Sequence, residues 1–421
     1  MKAREHIRVY EHQHIRLNQQ FENDKGEKFA FDQPKLDAFV RFFREGVPYY
    51  RLIRNGIQFN EYVGAIQVGN TLVSVLPKAD KQQKEDERTK KDWNQILIDM
   101  LRAVHGFNVK APSTSNLKIK SNSVLDLYFE LFVIEVEYLM HRGLVKKYRK
   151  TEGNLNALKG SLLFSKQLSK NLVHKERFFT KHSTYDTEHL LHIILYKTLH
   201  VLTRINTNAV LIGRINALLL NFPEMPNHKM AASVFDKLVF NRKTNSYKEA
   251  IEIARLILMN YHPDLSKGRD DVLALMFDMN TLWEQFVLVS LRKSKALKVR
   301  GQNSKYFWKP NGGRSRSIRP DITISGKDGN YVLDTKWKLV SKKPAVEDIR
   351  QMYAYHHYFE AEKVALLYPG SEPYVTGRFM AIKEQQQLSN MECGLLFTQY
   401  KNSVRDWQQQ IGEEIQDWIE N

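Results

Sequence analysis

One short stretch, residues 319–338, constrains the fold of this 421-residue chain more than any other. It reads RPDITISGKDGNYVLDTKWK, and two strand-like patterns, Ile318–Ile324 and Tyr331–Trp337, flank a polar turn at Ser325–Asn330. Apolar runs on either side of a Gly/Asp/Asn-containing turn are typical of a β-hairpin with a longer loop. The sequence therefore predicts two neighbouring strands here, joined by that turn.

Three charged residues occupy these two strands. Asp321 lies near the start of the first strand, and Asp334 and Lys336 lie two residues apart on the second, so their side chains leave the same face of a sheet. Mg²⁺ prefers one or two carboxylates together with water and phosphate oxygens, so two acids beside an ammonium group indicate metal-assisted phosphodiester hydrolysis. The pattern matches the PD-(D/E)xK constellation of many nucleases. A hairpin with solvated charges is the alternative, but the apolar neighbours of both acids favour a site.

The composition describes a basic, globular protein. An apolar content of 42% and an aromatic content of 11% are typical of a folded chain, and the length allows two or three domains. The net charge of +17 and the pI near 9.5 indicate a polyanionic partner, most simply nucleic acid, with a merely basic cytosolic protein as the alternative. The single cysteine, Cys393, excludes a disulfide framework and a multi-cysteine zinc site.

Neither a signal peptide nor a membrane span is expected. The N-terminus lacks an apolar core of signal-peptide length, and the most apolar run, Val124–Met140, carries four acidic residues. This run is therefore predicted to be a buried helix. The low cysteine content suits a reducing compartment, so we expect a soluble, cytoplasmic protein without membrane contact.

The expected fold class is a mixed α/β (α+β) multidomain fold in three parts. Residues 1–122 read as a β-rich N-terminal domain with a helix at Pro34–Arg44 and a hairpin at 62–78. Residues 123–268 read as a mainly helical middle region. Residues 269–421 have the order α-β-β-α-β, which predicts an α/β layer around a mixed sheet.

Further candidate site residues lie on two predicted helices. The first helix of the C-terminal part, Asn280–Arg292, has Asn280 as its expected N-cap and carries Glu284 among apolar residues. A buried acid needs a partner or a metal, although a Glu at the edge of an apolar stripe fits equally well. On a later helix, Gln351 and Tyr355 lie four residues apart and share one face. They could bind phosphate or support a metal, but spacing alone favours a solvated face.

Other chemistries lack their motifs. The sequence has no G-x-x-x-x-G-K-[ST] loop, so the chain is not expected to hydrolyse a nucleotide by itself. His189, His192 and His200 lack companion ligands at metal spacing and are predicted to be core or surface residues. The charged segment 78–91 is predicted to form a solvated loop or a helix start. The basic segment 141–150 could contact phosphate or a partner, with a solvated loop as the alternative.

Several segments, taken in order, resemble the McrC family, the nuclease subunits of the McrBC 5-methylcytosine-dependent restriction systems. The similarity covers most of the chain. Its blocks are YVGAIQVGNTLVSVLPK at 62–78, YRKTEGNLNALKGSLLFSKQLSKN at 148–171, FDMNTLWEQFV at 277–287, RPDI…LDTKWK at 319–338, and DIRQMYAYHHYF at 348–359. The last block is also similar to the Gln-x-x-x-Tyr helix of RecB-like nucleases.

The resemblance implies roles for individual residues. Asp321 and Asp334 would be Mg²⁺ ligands, with the Thr335 carbonyl as a candidate further ligand. Lys336 would orient or deprotonate the attacking water, or stabilise the pentacovalent phosphate. The final acid is Asp rather than the commoner Glu, which shortens the reach and keeps the charge. Glu284 would join the catalytic residues by supplying a metal-bound water or an outer-shell contact. Gln351 and Tyr355 would support the site and the DNA.

The resemblance also implies a partner. The family works with a separate AAA+ GTPase, McrB, which forms a hexamer, binds GTP, recognises modified DNA and translocates. The McrC-like chain docks on this ring through its N-terminal part, here residues 1–122, stimulates GTP hydrolysis and cuts DNA with a nuclease domain, here residues 269–421. Two alternatives stay open: a non-catalytic adaptor that activates the GTPase and grips DNA, and a stand-alone PD-(D/E)xK nuclease of the repair type.

Overall fold

The computed structural model describes residues 4–23, 25–78, 86–105, 123–262, 271–294, 297–326, 329–338, 343–381 and 388–420. Internal contacts divide the chain into two compact units. The first contains the described residues of 1–109 and of 276–421, together with 123–124, and the second contains those of 125–275. The first unit therefore includes residues from both the first and the last of the three predicted domains.

The N-terminal part is mostly β-structure, as its sequence predicts. Its elements are β1 (Glu5–Tyr10), β2 (His14–Arg16), β3 (Gln20–Glu22), β4 (Lys28–Ala30), α1 (Gln33–Phe43), β5 (Tyr50–Ile53), β6 (Gly56–Phe59), β7 (Tyr62–Val68), β8 (Thr71–Leu76) and α2 (Glu87–His105). Strand β1 pairs in parallel with β8, and β7 pairs with β8 in the predicted hairpin. Gly69 supplies the left-handed backbone of its tight turn, with φ at 55°. The predicted helix is confirmed as α1, which Asp32 caps.

The middle part contains long helices and a small sheet. Its elements are α3 (Val124–Arg142), β9 (Lys147–Leu155), β10 (Ser161–Leu162), α4 (Phe164–Lys170), β11 (Phe178–Asp186), α5 (Leu190–Ile205), α6 (Ala209–Asn221), α7 (Ala232–Asp236), a 3₁₀ turn (Asn245–Tyr247), α8 (Lys248–Met259), β12 (Tyr261–His262) and β13 (Val272–Asp278). The apolar run that was predicted to be a buried helix is confirmed as α3. No helix among the described residues is long and apolar enough to cross a membrane.

The three-stranded sheet β10-β11-β9 lies in a region whose sequence reads as mainly helical. Strands β9 and β11 pair over nine residues each, and most of their side chains are at least partly exposed. In such strands the apolar residues do not repeat at the spacing of a helix or of a half-buried strand. Hydrophobic periodicity therefore could not predict them. The basic segment 141–150 consequently ends in strand β9 and is not a loop throughout.

Histidines of the middle part serve structural purposes. His192 is buried, with Nδ1 2.6 Å from the Thr187 carbonyl oxygen and Nε2 3.0 Å from the Tyr247 hydroxyl. His189 caps helix α5 by accepting the Leu191 backbone N–H. The predicted core position is confirmed for His192.

The C-terminal part forms a six-stranded mixed sheet. Its elements are α9 (Met279–Lys293), β14 (Lys298–Gly301), β15 (Lys305–Trp308), β16 (Arg316–Ile318), β17 (Ile322–Ser325), β18 (Asn330–Thr335), α10 (Val346–Tyr358), β19 (Ala361–Pro369), β20 (Val375–Met380), β21 (Leu388–Thr398) and α11 (Val404–Glu420). The sheet order is β14-β17-β18-β19-β21-β20. Strands β18, β19 and β21 run parallel and the others antiparallel, which confirms the mixed sheet and the mixed α/β class.

Helices cover both faces of this sheet. Val332 of β18 packs in one apolar cluster with Tyr355 of α10. The neighbouring residue, Tyr331, points to the opposite face and contacts Trp418 of α11, with ring centroids 5.8 Å apart. Helix α9 contacts α11 and β18. The result is a three-layer arrangement that buries the central strands and leaves their carboxyl ends at one edge.

Candidate active site

The two motif acids meet because of the hairpin register. Ile322 of β17 pairs with Leu333 of β18. In this antiparallel pair, Asp321 precedes Ile322 and Asp334 follows Leu333. The two acids therefore lie opposite each other. Both strands are shorter than predicted: Asp321 immediately precedes β17, and Lys336 follows β18. The predicted turn includes residues 327–328, which lie outside the described part.

Thr335 holds the Asp321 carboxylate. Asp321 Oδ2 accepts the Thr335 backbone N–H at 2.7 Å and its hydroxyl at 2.9 Å. The Asp321 carbonyl accepts the backbone N–H of Gln302 at 2.8 Å. Asp321 Oδ1 receives no hydrogen bond from the described residues, so one carboxylate oxygen stays available for a ligand. A metal contact by the Thr335 carbonyl stays a prediction.

Asp334 and Lys336 form a close ion pair inside the protein. Asp334 is 1% exposed, and its Oδ2 lies 2.5 Å from Lys336 Nζ. Burial and the repulsion of Asp321 raise the pKa of Asp334 to about 6, although Lys336 opposes the shift. Burial acts to lower the pKa of Lys336, but attraction by Asp334, Asp321 and Asp348 outweighs it and raises that pKa. Lys336 is therefore a cation at neutral pH.

Glu284 joins the same cluster from helix α9. It is half-buried and accepts a hydrogen bond from Gln302 Nε2 at 2.9 Å. Burial raises its pKa, and the charge of Asp321 adds to the effect. Glu284 thus lies close enough to the acid pair to respond to it. Gln302 connects both acids, because its backbone N–H binds the Asp321 carbonyl.

The expected N-cap of helix α9 is wrong. Asp278 caps the helix by accepting the Thr281 backbone N–H at 2.7 Å. Asn280 instead accepts the backbone N–H of Trp337 at 3.2 Å, beside Lys336. Asp and Asn cap helices about equally well, so only the tertiary contact distinguishes the two residues.

Sequence reasoning missed the anchor of the segment that follows β18. The indole N–H of buried Trp337 donates to Glu11 Oε1 at 2.7 Å, and the same oxygen accepts the Lys78 backbone N–H at 2.8 Å. The Lys336 backbone N–H donates to the Leu367 carbonyl at 3.0 Å. Burial raises the pKa of Glu11 to about 7. Glu11 and Trp337 are 326 positions apart, and no local pattern connects them.

Gln351 and Tyr355 share one face of α10, as their spacing predicts. Gln351 Nε2 donates to the Tyr355 hydroxyl at 2.6 Å, and this hydroxyl donates to the Arg319 carbonyl at 2.9 Å. The solvated face that spacing favoured is wrong for Tyr355, which is buried and whose pKa is raised by that burial. Gln351 also lines a cavity of about 760 Å³ together with Arg319 and Arg350.

The carboxylates of this site can be compared with the ligands that Mg²⁺ requires. No group of three or more His, Cys, Asp or Glu side chains among the described residues could hold a metal ion. Asp321 and Asp334 remain, and Mg²⁺ commonly uses one or two carboxylates and keeps several waters. The buried carboxylate of Asp334 and the partly exposed carboxylate of Asp321 repel each other, and a cation between them would relieve this repulsion. The residues present therefore fit Mg²⁺.

Comparisons with known proteins point to one family. Residues 57–369 match the model of a family described as McrBC 5-methylcytosine restriction system component. The fold is similar to a chain in the tetradecameric assembly of Thermococcus gammatolerans McrB AAA+ hexamers with bound McrC. Here the TM-score is 0.68 at 19% identity, covering 98% of this chain and 100% of that one. The cryo-EM structure of the Thermococcus gammatolerans McrBC complex gives 0.49 at 20% identity, covering 68% and 87%. No match was found among curated proteins.

Proposed function

The chain belongs to the family of McrBC 5-methylcytosine restriction system components, and from this premise we propose that it is the Mg²⁺-dependent DNA endonuclease subunit of such a system. One observation carries the proposal: Asp321 and Asp334 face each other across the β17–β18 hairpin, with Lys336 Nζ 2.5 Å from Asp334. Two acids and a lysine that meet where two such strands adjoin support a PD-(D/E)xK nuclease core in residues 269–421.

The acids would bind the metal and set its position. When bound, Mg²⁺ would supply Lewis-acid activation of water and neutralise charge on the phosphate. Asp321 and Asp334 would hold it, with the Thr335 carbonyl as a further candidate. Because Thr335 fixes Asp321 Oδ2 through two hydrogen bonds, the free Oδ1 keeps a defined direction before substrate arrives.

Lys336 would act as a cation. Of the roles that the family suggests, a lysine with a raised pKa suits orientation of the attacking water and stabilisation of negative charge on the phosphate. Removal of a proton from water requires a neutral amine, which this environment disfavours. Glu284, linked to Gln302, would contribute a hydrogen-bond acceptor at the edge of the site.

The DNA would lie against helix α10. Tyr355 fixes the backbone just before Asp321 through the Arg319 carbonyl, and Gln351 orients Tyr355. The neighbouring cavity is lined by Arg319, Arg350 and Glu347. Arg350 pairs with Glu347 at 3.0 Å, so the guanidinium group of Arg319 is the one that best suits phosphate oxygens. The net charge of +17 supports a polyanionic substrate.

We further propose that the chain docks on a hexameric AAA+ GTPase of the McrB type, through residues 1–122. The similar Thermococcus gammatolerans assembly contains McrB AAA+ hexamers with bound McrC, and the likeness extends over 98% of this chain. GTP would be bound by the partner, since this sequence has no phosphate-binding loop of its own. The DNA substrate would be methylated, as the family description indicates.

The test uses the assembled complex with methylated plasmid, GTP and Mg²⁺. We expect Asp334→Asn to slow cleavage by roughly two orders of magnitude or more, since one group that positions charge at a reacting phosphate has an effect of this size. GTPase stimulation, measured in the same reaction, should stay at the wild-type level because Asp334 is buried and lies outside residues 1–122, the proposed docking region.

Cleavage by Asp334→Asn at the wild-type rate would contradict the proposed site. A wild-type chain that stimulates GTP hydrolysis and cuts under no condition would indicate a non-catalytic adaptor. Cutting by the isolated chain at low concentration, without partner or GTP, would indicate a stand-alone nuclease.

A further inference from the structure

A short hairpin next to the proposed active site has an unusual composition. Residues 305–319, KYFWKPNGGRSRSIR, contain β15, β16 and their connecting turn, and we call them the basic–aromatic hairpin. The segment has five basic residues, three consecutive aromatic residues and no acid. Among the described strands, β15 and β16 pair with each other alone and form a sheet separate from the six-stranded one.

The aromatic residues of the hairpin are exposed. The exposed fractions are 81% for Tyr306, 48% for Phe307 and 57% for Trp308. Single apolar residues are common on protein surfaces, but three large rings in succession expose more apolar surface than isolated residues do. Such exposure is typical of a binding surface.

The base of the hairpin is fixed to helix α10. Lys305 Nζ donates to the Tyr358 carbonyl at 2.7 Å and lies 5.2 Å from the centre of the Phe359 ring. The Phe307 and Tyr358 rings also contact each other, with centroids 5.2 Å apart. These contacts fix one end of β15 to helix α10. Tyr306 and Trp308 therefore lie exposed on a strand whose position is fixed.

The hairpin carries exposed cations. Lys309, Arg314 and Arg316 form no ion pair with an acid of the described residues, whereas Arg319 lies near enough to Glu284 to act on its pKa. A cluster of uncompensated positive charge attracts phosphate at long range. The charge therefore favours a nucleic acid over a neutral apolar partner.

The hairpin is continuous with the proposed active site. The Arg319 carbonyl accepts the Tyr355 hydroxyl, and Asp321 follows two residues later. The cavity of about 760 Å³ lies where the hairpin meets α10. Its lining residues include Ser304, Phe307, Ser317, Arg319, Arg350 and Gln351. A DNA strand that reaches Asp321 would pass along this surface.

We propose that the basic–aromatic hairpin grips the DNA duplex beside the cleavage position and opens a base step there. Tyr306 and Trp308 stack against bases, and Lys309, Arg314 and Arg316 contact the flanking phosphates. Aromatic rings reach the faces of bases only where the bases unstack, so the hairpin acts as a wedge and not only as an electrostatic clamp. This inference rests on the proposed DNA nuclease function and adds how the substrate is held.

The first experiment separates binding from cutting. The full chain is titrated, without Mg²⁺, into a methylated duplex that carries 2-aminopurine, and both anisotropy and 2-aminopurine fluorescence are recorded. Wild type should raise the fluorescence by unstacking the probe base. The double substitution Tyr306→Leu/Trp308→Leu keeps apolar side chains and removes the rings. It should abolish the rise and weaken binding roughly tenfold, within the range expected for stacking on one base.

Two matched controls accompany it. Tyr374→Leu removes an aromatic residue that is 49% exposed and precedes β20, the edge strand at the end of the six-stranded sheet opposite to β14. This variant should leave both the anisotropy and the fluorescence unchanged. Tyr306→Phe/Trp308→Phe keeps the rings and should retain the fluorescence rise. Thermal unfolding of each variant checks that the surface substitutions leave the fold intact.

The second experiment tests the cations. The triple substitution Lys309→Gln/Arg314→Gln/Arg316→Gln should lower the slope of log affinity against log salt by about 0.9 for each phosphate that the variant no longer neutralises. The control, Arg378→Gln on exposed β20, should keep the wild-type slope.

Three results would overturn the inference. The first is a leucine variant with wild-type affinity and fluorescence, and the second is a wild-type chain that gives no fluorescence rise. The third is a leucine variant that keeps both DNA signals but loses GTPase stimulation in a GTP hydrolysis assay of the assembled complex, which would assign the hairpin to the protein partner. A wild-type complex that never cuts would instead overturn the proposed nuclease function. It would leave the binding comparison as evidence about the hairpin.

Discussion

At the scale of single residues, Asp334 carries an electrostatic cost that the fold does not offset. Its pKa lies near 6 in the folded chain because it is buried opposite Asp321, whereas an ordinary Asp titrates near 3.8. Between these values the folded state holds a proton that the unfolded state has released, so stability falls as pH rises through this window. Above pH 6 the full cost is present, on the order of 1–3 kcal/mol. A divalent cation would reduce it.

Asp334→Asn should therefore raise the melting temperature of the metal-free chain at pH 8. The rise should be about 2 °C or more, since 1 kcal/mol shifts the melting temperature of a large domain by roughly 2–4 °C. Mg²⁺ should raise the melting temperature of wild type and not of Asp334→Asn, because a ligand stabilises only the protein that binds it.

Thermal unfolding at pH 5 and pH 8, with and without Mg²⁺, measures both effects. Asp406→Asn, at an exposed position on α11, is the control and should follow wild type. A metal-free Asp334→Asn chain that is less stable than wild type at pH 8, together with an unchanged response to Mg²⁺, would contradict this description of the acid pair.

The meeting of the three motif residues could be predicted from the sequence, because strand geometry is a local property. Lys336 lies two residues beyond Asp334, just after β18, and the hairpin register brings Asp321 opposite Asp334. Gln302 and Asp348 could not be found in this way. Their contacts with Glu284 and Lys338 depend on how separate elements pack, which no local pattern encodes.

At the scale of elements, the connection between Trp337 and Glu11 ties the end of β18 to the end of β1. Glu11 is buried, and the carboxylates of Glu61 and Asp278 add to its raised pKa of about 7. The imidazole of His12 lies beside it, with Nε2 3.9 Å from Glu11 Oε2. The folded state keeps the Glu11 proton up to about pH 7, so stability is lost as pH rises from the ordinary value of 4.5 through 7.

Glu11→Gln should make the chain more stable at pH 8 and flatten its pH dependence. The amide oxygen can still accept the Trp337 and Lys78 N–H groups, and the buried charge is gone. Trp337→Phe removes the donor and leaves Glu11 with one fewer hydrogen bond, which should cost roughly 1–3 kcal/mol.

Chemical denaturation at pH 5 and pH 8 compares the free energies of unfolding of these variants. Trp93→Phe is a matched control, because it shortens an indole that contacts Tyr400 and makes no hydrogen bond to Glu11. A Glu11→Gln chain that unfolds more easily than wild type at pH 8 would show that the charge of Glu11 stabilises the fold.

Elements with an apolar period were predictable, and polar ones were not. The helices α1, α3 and α10 and the hairpin β7–β8 follow from apolar spacing and turn chemistry. Strands β9, β11 and β15 bury few side chains, so their sequences carry little periodic signal. Strand β15 nevertheless carries the most exposed aromatic side chain near the proposed active site.

At the scale of the whole molecule, the mixed α/β class and the family could be predicted, whereas the grouping of segments could not. Described residues of 1–109 and of 276–421 form one compact unit, and those of 125–275 form another. A sequence read in order suggests consecutive domains. It does not reveal that a chain leaves a unit and returns to it, because contacts such as that between Glu11 and Trp337 span most of its length.

The most direct measurement compares DNA cleavage by wild type, Lys336→Ala and Lys401→Ala, each assembled with the AAA+ GTPase partner, GTP, Mg²⁺ and methylated plasmid. Lys401 is an exposed lysine outside the proposed site and serves as the matched control. We expect Lys336→Ala to reduce cleavage by roughly a hundredfold or more while GTP hydrolysis continues, with Lys401→Ala equal to wild type. Equal cleavage by Lys336→Ala and wild type would contradict the nuclease site.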